Sequence, residues 1–189
     1  MTDARKYIEE SVEAKLAFLA DGGAKQIEQA AALMADAIKS GRRIYLFGNG
    51  GSAADAQHIA GELVGRFQME RKGMPAVAFT TDTSVLTSVG NDYGFDAVYT
   101  RQVEALVEKG DVVIAITTSG NSPNVVAAAK LAREKGAKVI GFTGGDGGEL
   151  KRCSDLAFII PAKETCHIQE VHITIGHALC AMVEEAVFG

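Results

Sequence analysis

RIYLFGNGGS, residues 43–52, decides the fold of this chain. Arg43 to Phe47 is a short, nearly unbroken apolar run, and it ends abruptly in Gly48-Asn49-Gly50-Gly51-Ser52. A helical pattern follows over 53–67. A strand without polar alternation is buried on both faces, which is the signature of a parallel sheet covered by helices. The same alternation continues downstream. Strands are predicted at Pro75–Phe79, Val112–Ile116, Lys138–Phe142 and Leu156–Ile160. Helices are predicted at 83–89, 95–108, 123–135 and 167–187, and residues 144–148 are read as a glycine-rich turn. Upstream, residues 3–20 and 24–39 carry apolar groups at helical spacing on either side of Gly22-Gly23, so a helical hairpin leads the chain. The expected architecture is α/β: a doubly wound, parallel, five-stranded sheet flanked by helices, preceded by that hairpin, as one domain over 1–189.

Composition narrows the function. Lys plus Arg is 19 and Asp plus Glu is 24, a net charge of −5, which argues against broad binding to nucleic acid or acidic membranes. Cys153, Cys166 and Cys180 form no CxxC pair and are read as reduced thiols. The first residues, MTDARKYIEE, carry no apolar core of a signal peptide, and no uninterrupted apolar run reaches membrane-spanning length. The expectation is a cytoplasmic protein without a membrane partner.

In an open parallel sheet, ligands sit beyond the carboxyl ends of the strands. Two strands here end in polar loops. Thr117-Thr118-Ser119-Gly120-Asn121-Ser122-Pro123 places four hydroxyls ahead of a helix start, where hydroxyl donors and free N–H groups suit a phosphate. Ser122 stands at the N-cap position and Pro123 at the first helical one. Neither GxxxxGK[ST] nor GxGxxG is present, so a nucleotide is disfavoured. A capped turn with no ligand is the plainer reading of the same residues. The second loop, Asn49-Gly50-Gly51, lets backbone approach a ligand closely. In the helix after it, Asp55, His58, Glu62 and Arg66 share one face, and His58 with Glu62 could reach one metal ion; a solvated face with a Glu62–Arg66 pair is the alternative. Three of the four histidines lie in CHIQEVHITIGH, residues 166–177. A solvated face accounts for Glu170 and His172. His177, among Ile173, Gly176, Leu179 and Cys180, reads as either a functional or a satisfied core histidine.

Together, GNGGSAADAQHIAGELVGRF (48–67), GNDYGF (90–95), TTSGNSPNV (117–125) and IQEVHITIGHALC (168–180) resemble the SIS family, and within it the phosphoheptose isomerases. The resemblance implies an isomerase that converts sedoheptulose 7-phosphate to D-glycero-D-manno-heptose 7-phosphate, the first step of heptose biosynthesis for surface polysaccharide. It implies one zinc ion per subunit on His58, Glu62, Gln169 and His177. It implies substrate contacts from Asn49, Gly50, Gly51, Glu62, Asn91, Asp92, Thr117, Thr118, Ser119, Ser122 and Gln169, with Glu62 and His177 catalytic. It also implies a homotetramer, packed through helices of residues 1–40, with active sites between subunits. His167 stands where many relatives are expected to carry Arg. Two other readings share the fold: an isomerase of another phosphosugar, and a non-catalytic SIS protein that binds the bacterial replication initiator. One spacing is awkward. Gln169 and His177 are eight residues apart, about 12 Å of rise on a straight helix, so one ion reaches both only across a distorted turn or between subunits.

Overall fold

The computed structural model describes residues 3–189. Its helices are α1 (Ala4–Ala20), α2 (Gly23–Lys39), α3 (Gly51–Val64), α4 (Thr83–Tyr93), α5 (Thr100–Leu106), α6 (Pro123–Glu134), α7 (Gly148–Cys153) and α8 (Thr165–Phe188). Its strands are β1 (Ile44–Gly48), β2 (Ala76–Ala78), β3 (Val112–Ile116), β4 (Lys138–Gly144) and β5 (Leu156–Ile160). All strand pairs are parallel, in the order β2-β1-β3-β4-β5. Every residue of β1 and β3 is buried, as their unbroken apolar sequences require.

Two cores result, one on each face of the sheet. Ile44, Leu46, Ile114, Ile116 and Ile140 pack beneath α2, α3 and α8, while Tyr45, Phe47, Val113, Ala115 and Val139 pack beneath α5 and α6. The alternation along each strand is the period-two pleat. Strand order reverses between β1 and β3, so a crevice opens beyond their carboxyl ends. Gly48 pairs with Ile116, so the two strands end level and their loops start side by side.

Four elements differ from the sequence reading; one is the helix expected over 83–89, which runs on to Tyr93. The expected helix over 95–108 is a 3-10 turn, Phe95–Ala97, followed by the shorter α5. The turn at 144–148 runs straight into α7, a helix with no sequence periodicity long enough to reveal it. The helix expected to 67 ends at Val64. Arg66 therefore lies off the helix, 3.6 Å from Glu70, and does not form the i,i+4 pair with Glu62.

α8 has the length and mean hydropathy, 1.3, of a membrane span. Here it is the central helix of one layer, packed on α2 and α3, and it buries His172 and Glu184. His172 corrects the solvated reading: it is fully buried against Phe142. Ile168, His172, Ile175 and Leu179 recur at helical spacing on the core side, so the face was set by their apolar neighbours. Its Nε2 lies 3.1 Å from the carbonyl of Thr143, while Nδ1 has no partner among the described residues. Burial lowers its pKa to about 4, which keeps the ring neutral.

Candidate active site

The loop after β3 is built from its own hydroxyls. Thr117 Oγ1 lies 2.8 Å from Ser122 Oγ and 3.4 Å from Ser119 Oγ. Ser122 has N-cap dihedrals, yet its side chain makes no capping bond among the described residues. Its hydroxyl turns back to Thr117, so Ser122 leaves the positive end of α6 open to a ligand, with Val125 N alone taken by Asn124 Oδ1. Gly120 shapes the turn. Its φ is +69°, and an added Cβ would collide with the carbonyl of Gly147. The collision marks a second support, because α7 is pinned to this loop. Leu150 N donates to Gly120 O at 2.9 Å, and Glu149 N donates to Asn121 Oδ1 at 3.1 Å.

Asn49, from the loop after β1, meets this region through Asn124. Each side-chain amide donates to the other at 2.9 Å, and Asn124 Oδ1 also accepts from Val125 N. Asn124 is 1% exposed and joins the two loops across the crevice. It escaped the sequence reading because a lone Asn in the first helical turn is ordinary capping chemistry; only the fold brings it to Asn49. Gly50 and Gly51 lie at the exposed mouth of α3. Asn91 and Asp92 end α4, also exposed and hydrogen-bonded to each other at 2.8 Å.

α3 and α8 carry the remaining side chains. The helices touch where Gly176 faces Ile59, and a Cβ on Gly176 would stand 2.6 Å from Ile59 Cδ1. That close approach brings His177 to His58, with the two Nε2 atoms 2.8 Å apart. Glu62 Oε1 lies 3.3 Å from His58 Nε2. Donor atoms of His58, Glu62 and His177 all fall within 4.8 Å of one another. Two imidazoles and a carboxylate, partly open to solvent, are the donor set of a divalent transition-metal site with a free position. The three residues therefore fit a metal ion.

Gln169 lies elsewhere on α8. Its Nε2 donates to Asp55 Oδ1 at 3.2 Å, and the amide rests against Gly51. Within this chain it faces the loop after β1, two turns of α8 away from the His177 cluster. Burial raises the pKa of Asp55, opposed by the Gln169 bond and the nearby His58. The second oxygen of Asp55 is buried without a partner among the described residues. His167, where Arg was expected, is buried beneath α1. It sits 3.5 Å from Glu10 and 3.4 Å from Glu170, and its ring lies 4.7 Å from that of Tyr7.

Known proteins share this sequence pattern and fold. The family model described as SIS domain matches residues 6–144. A phosphoheptose isomerase of Aquifex aeolicus is 56% identical over 97% of this chain and 95% of its own length. One from Aneurinibacillus thermoaerophilus is 49% identical over 97% and 93%. Among solved structures, the phosphoheptose isomerase of Neisseria gonorrhoeae superposes with a TM-score of 0.90 at 43% identity, covering 96% of each chain. That of Francisella tularensis gives 0.92 at 38% identity, covering 98% of this chain and 100% of its own.

Proposed function

Because this chain belongs to the SIS-domain family, and within it to the phosphoheptose isomerases, we propose that its crevice isomerises sedoheptulose 7-phosphate to D-glycero-D-manno-heptose 7-phosphate. Two observations carry this reading: a hydroxyl loop suited to phosphate at the switch point, and a cluster of Glu62 with two histidines between α3 and α8 suited to proton transfer. The reaction removes a proton from C1 of the ketose, passes through an enediol, and returns a proton to C2. Glu62 is the base at carbon. His177 moves the proton between the two oxygens, and both roles need groups within hydrogen-bond reach of the substrate. Thr117, Thr118, Ser119 and Ser122 hold the distant phosphate, which sets the reacting carbons in register. Asn49, Gly50, Gly51, Asn91, Asp92 and Gln169 complete the contacts along the sugar.

His58, Glu62 and His177 would hold the zinc ion, one per subunit. Gln169 joins them only if it comes from another subunit or moves from Asp55. A bound zinc ion supplies Lewis-acid polarisation of oxygen. The product feeds heptose biosynthesis for surface polysaccharide, in the cytoplasm.

The test is incubation of the purified protein with sedoheptulose 7-phosphate, with and without added zinc, and identification of the product. Conversion to the aldoheptose phosphate supports the reading, and no conversion under either condition overturns it. In the same assay, Ser119→Ala should raise KM and weaken inorganic phosphate binding by roughly 10–150-fold, the value of about 1.5–3 kcal/mol for a hydrogen bond to a charged group. Parental phosphate affinity in Ser119→Ala would remove the loop from phosphate binding.

The whole chain acts as one SIS domain, in which the helices of residues 1–40 serve assembly into a homotetramer with active sites between subunits. Supporting this, α1 exposes Ile8, Val12, Leu16 and Leu19 along one stripe, an apolar face that water would penalise if left uncovered. Asn91 and Asp92 sit on α4, which has no buried residue in this chain. Light scattering is expected to give four times the 19.9 kDa chain mass. A fully active monomer at micromolar concentration would exclude the assembly.

A further inference from the structure

We propose that Phe67 is a positioning residue for His177, held in place by the buried Arg71–Glu184 pair; this rests on the reading of His177 given above. After α3 ends, residues 65–73 cross the surface to reach β2. Such a connection usually needs no buried charge. Here three successive amides converge on one carboxylate of α8. Phe67 N donates to Glu184 at 3.1 Å, Gln68 N at 2.7 Å and Met69 N at 2.9 Å. Arg71 Nε adds a fourth donor at 2.8 Å. The two charged side chains are 2% and 1% exposed.

Arg71 spends its remaining donors on α3. Its Nη atoms reach the carbonyls of Glu62 at 2.9 Å, Leu63 at 2.8 Å and Gly65 at 3.0 Å. Those are the orphan acceptors of a helix end that has no basic residue in its last turn. One ion pair therefore ties the end of the helix bearing Glu62 to the helix bearing His177. A buried pair of this kind is rarely the most stable choice, because apolar groups of like volume often do as well. What it fixes is geometry: the Phe67 amide bonded to Glu184 anchors the backbone from which the ring projects.

That ring lies beside His177 in an offset, near-parallel stack. The centroids are 5.6 Å apart and the planes differ by 16°. On its edge, His177 meets His58, with planes at 70° and centroids 5.0 Å apart. A stacked neighbour hinders rotation of the imidazole about its own axis, and that rotation is what would swing Nε2 away from His58 and Glu62. Outer partners that orient a ligand in this way influence affinity and turnover without touching substrate.

The experiment compares Phe67→Leu, which keeps apolar volume but removes the flat ring, with Phe67→Tyr, which restores it. Three quantities are read: zinc affinity by chelator competition, kcat and KM separately, and the NMR shifts of the His177 ring protons. Phe67→Leu should bind zinc ~10–100-fold more weakly and lose kcat by a similar factor, with KM for the sugar phosphate within about twofold. The His177 signals should lose the ring-current displacement of the stack. Phe67→Tyr should restore all three, which a merely structural role would not require. Parental zinc affinity and kcat in Phe67→Leu would overturn the proposal. If the parent does not turn over sedoheptulose 7-phosphate, the functional reading fails, and the zinc and NMR measurements still decide the role of Phe67.

Discussion

Glu62→Gln is expected to lower turnover by about 10²–10⁴-fold, the effect of a lost general base. The amide keeps the shape of the side chain and removes the carboxylate that would accept a proton from carbon. Substrate affinity should change far less, because the loop at Thr117–Ser122 is untouched and its hydroxyls bond to one another, not to α3. Exchange of the substrate's carbon-bound proton with deuterated water should fall in step with turnover, since both depend on the same abstraction. Glu62 also contributes to the His58–His177 cluster, so metal content has to be measured on the same sample. A variant that retains metal, binds substrate and exchanges protons at the parental rate would exclude Glu62 as the base. His177 would then take that role, with Glu62 left as a ligand.

Glu184→Ala is expected to destabilise the protein by about 3–5 kcal/mol, because it leaves Arg71 buried without its counter-charge. Against a typical total of about 5–15 kcal/mol, that is a large share. Urea titration followed by far-ultraviolet circular dichroism would measure it. A loss under about 1 kcal/mol would mean that water reaches Arg71 and the pair is not sealed. The same carboxylate predicts an acid response. Burial raises its pKa, but the amides of Gln68, Phe67 and Met69 and the Arg71 guanidinium outweigh that and hold it at about 2. Its ordinary value is 4.5. A depressed pKa stabilises the fold fully above the unfolded value. The contribution should therefore be complete above about pH 5 and fade as pH falls from 4.5 towards 2. Glu184→Ala should flatten that part of the stability profile.

The unequal legibility of the site has physical causes. The hydroxyl loop could be read because its residues are contiguous and follow a recognisable buried strand. His58 and Glu62 could be read because four residues of one helix place them on one face. Asn124 could not, since its partner Asn49 is 75 residues away and the pair forms only when β1 and β3 lie side by side. His172 shows a misjudged polarity: one imidazole in an apolar helix face goes with the face, giving up its charge to do so. Arg71 and Glu184 carry no sequence signal, because no local pattern distinguishes a solvated carboxylate from one that collects three amides.

By itself, the amino-acid order determined the layers, the parallel sheet and the two loops at its switch point. These follow from periodicity and from the burial that unbroken apolar strands demand, both local properties of the chain. The tertiary structure decided which polar groups meet. Gly176 lets α8 settle against Ile59 and so joins His177 to His58 and Glu62. The same packing leaves Gln169 on Asp55 and brings Phe67 into an offset stack with His177. Such contacts depend on helix position to within an ångström or two, a quantity set by the shape of the whole core and carried by no single segment.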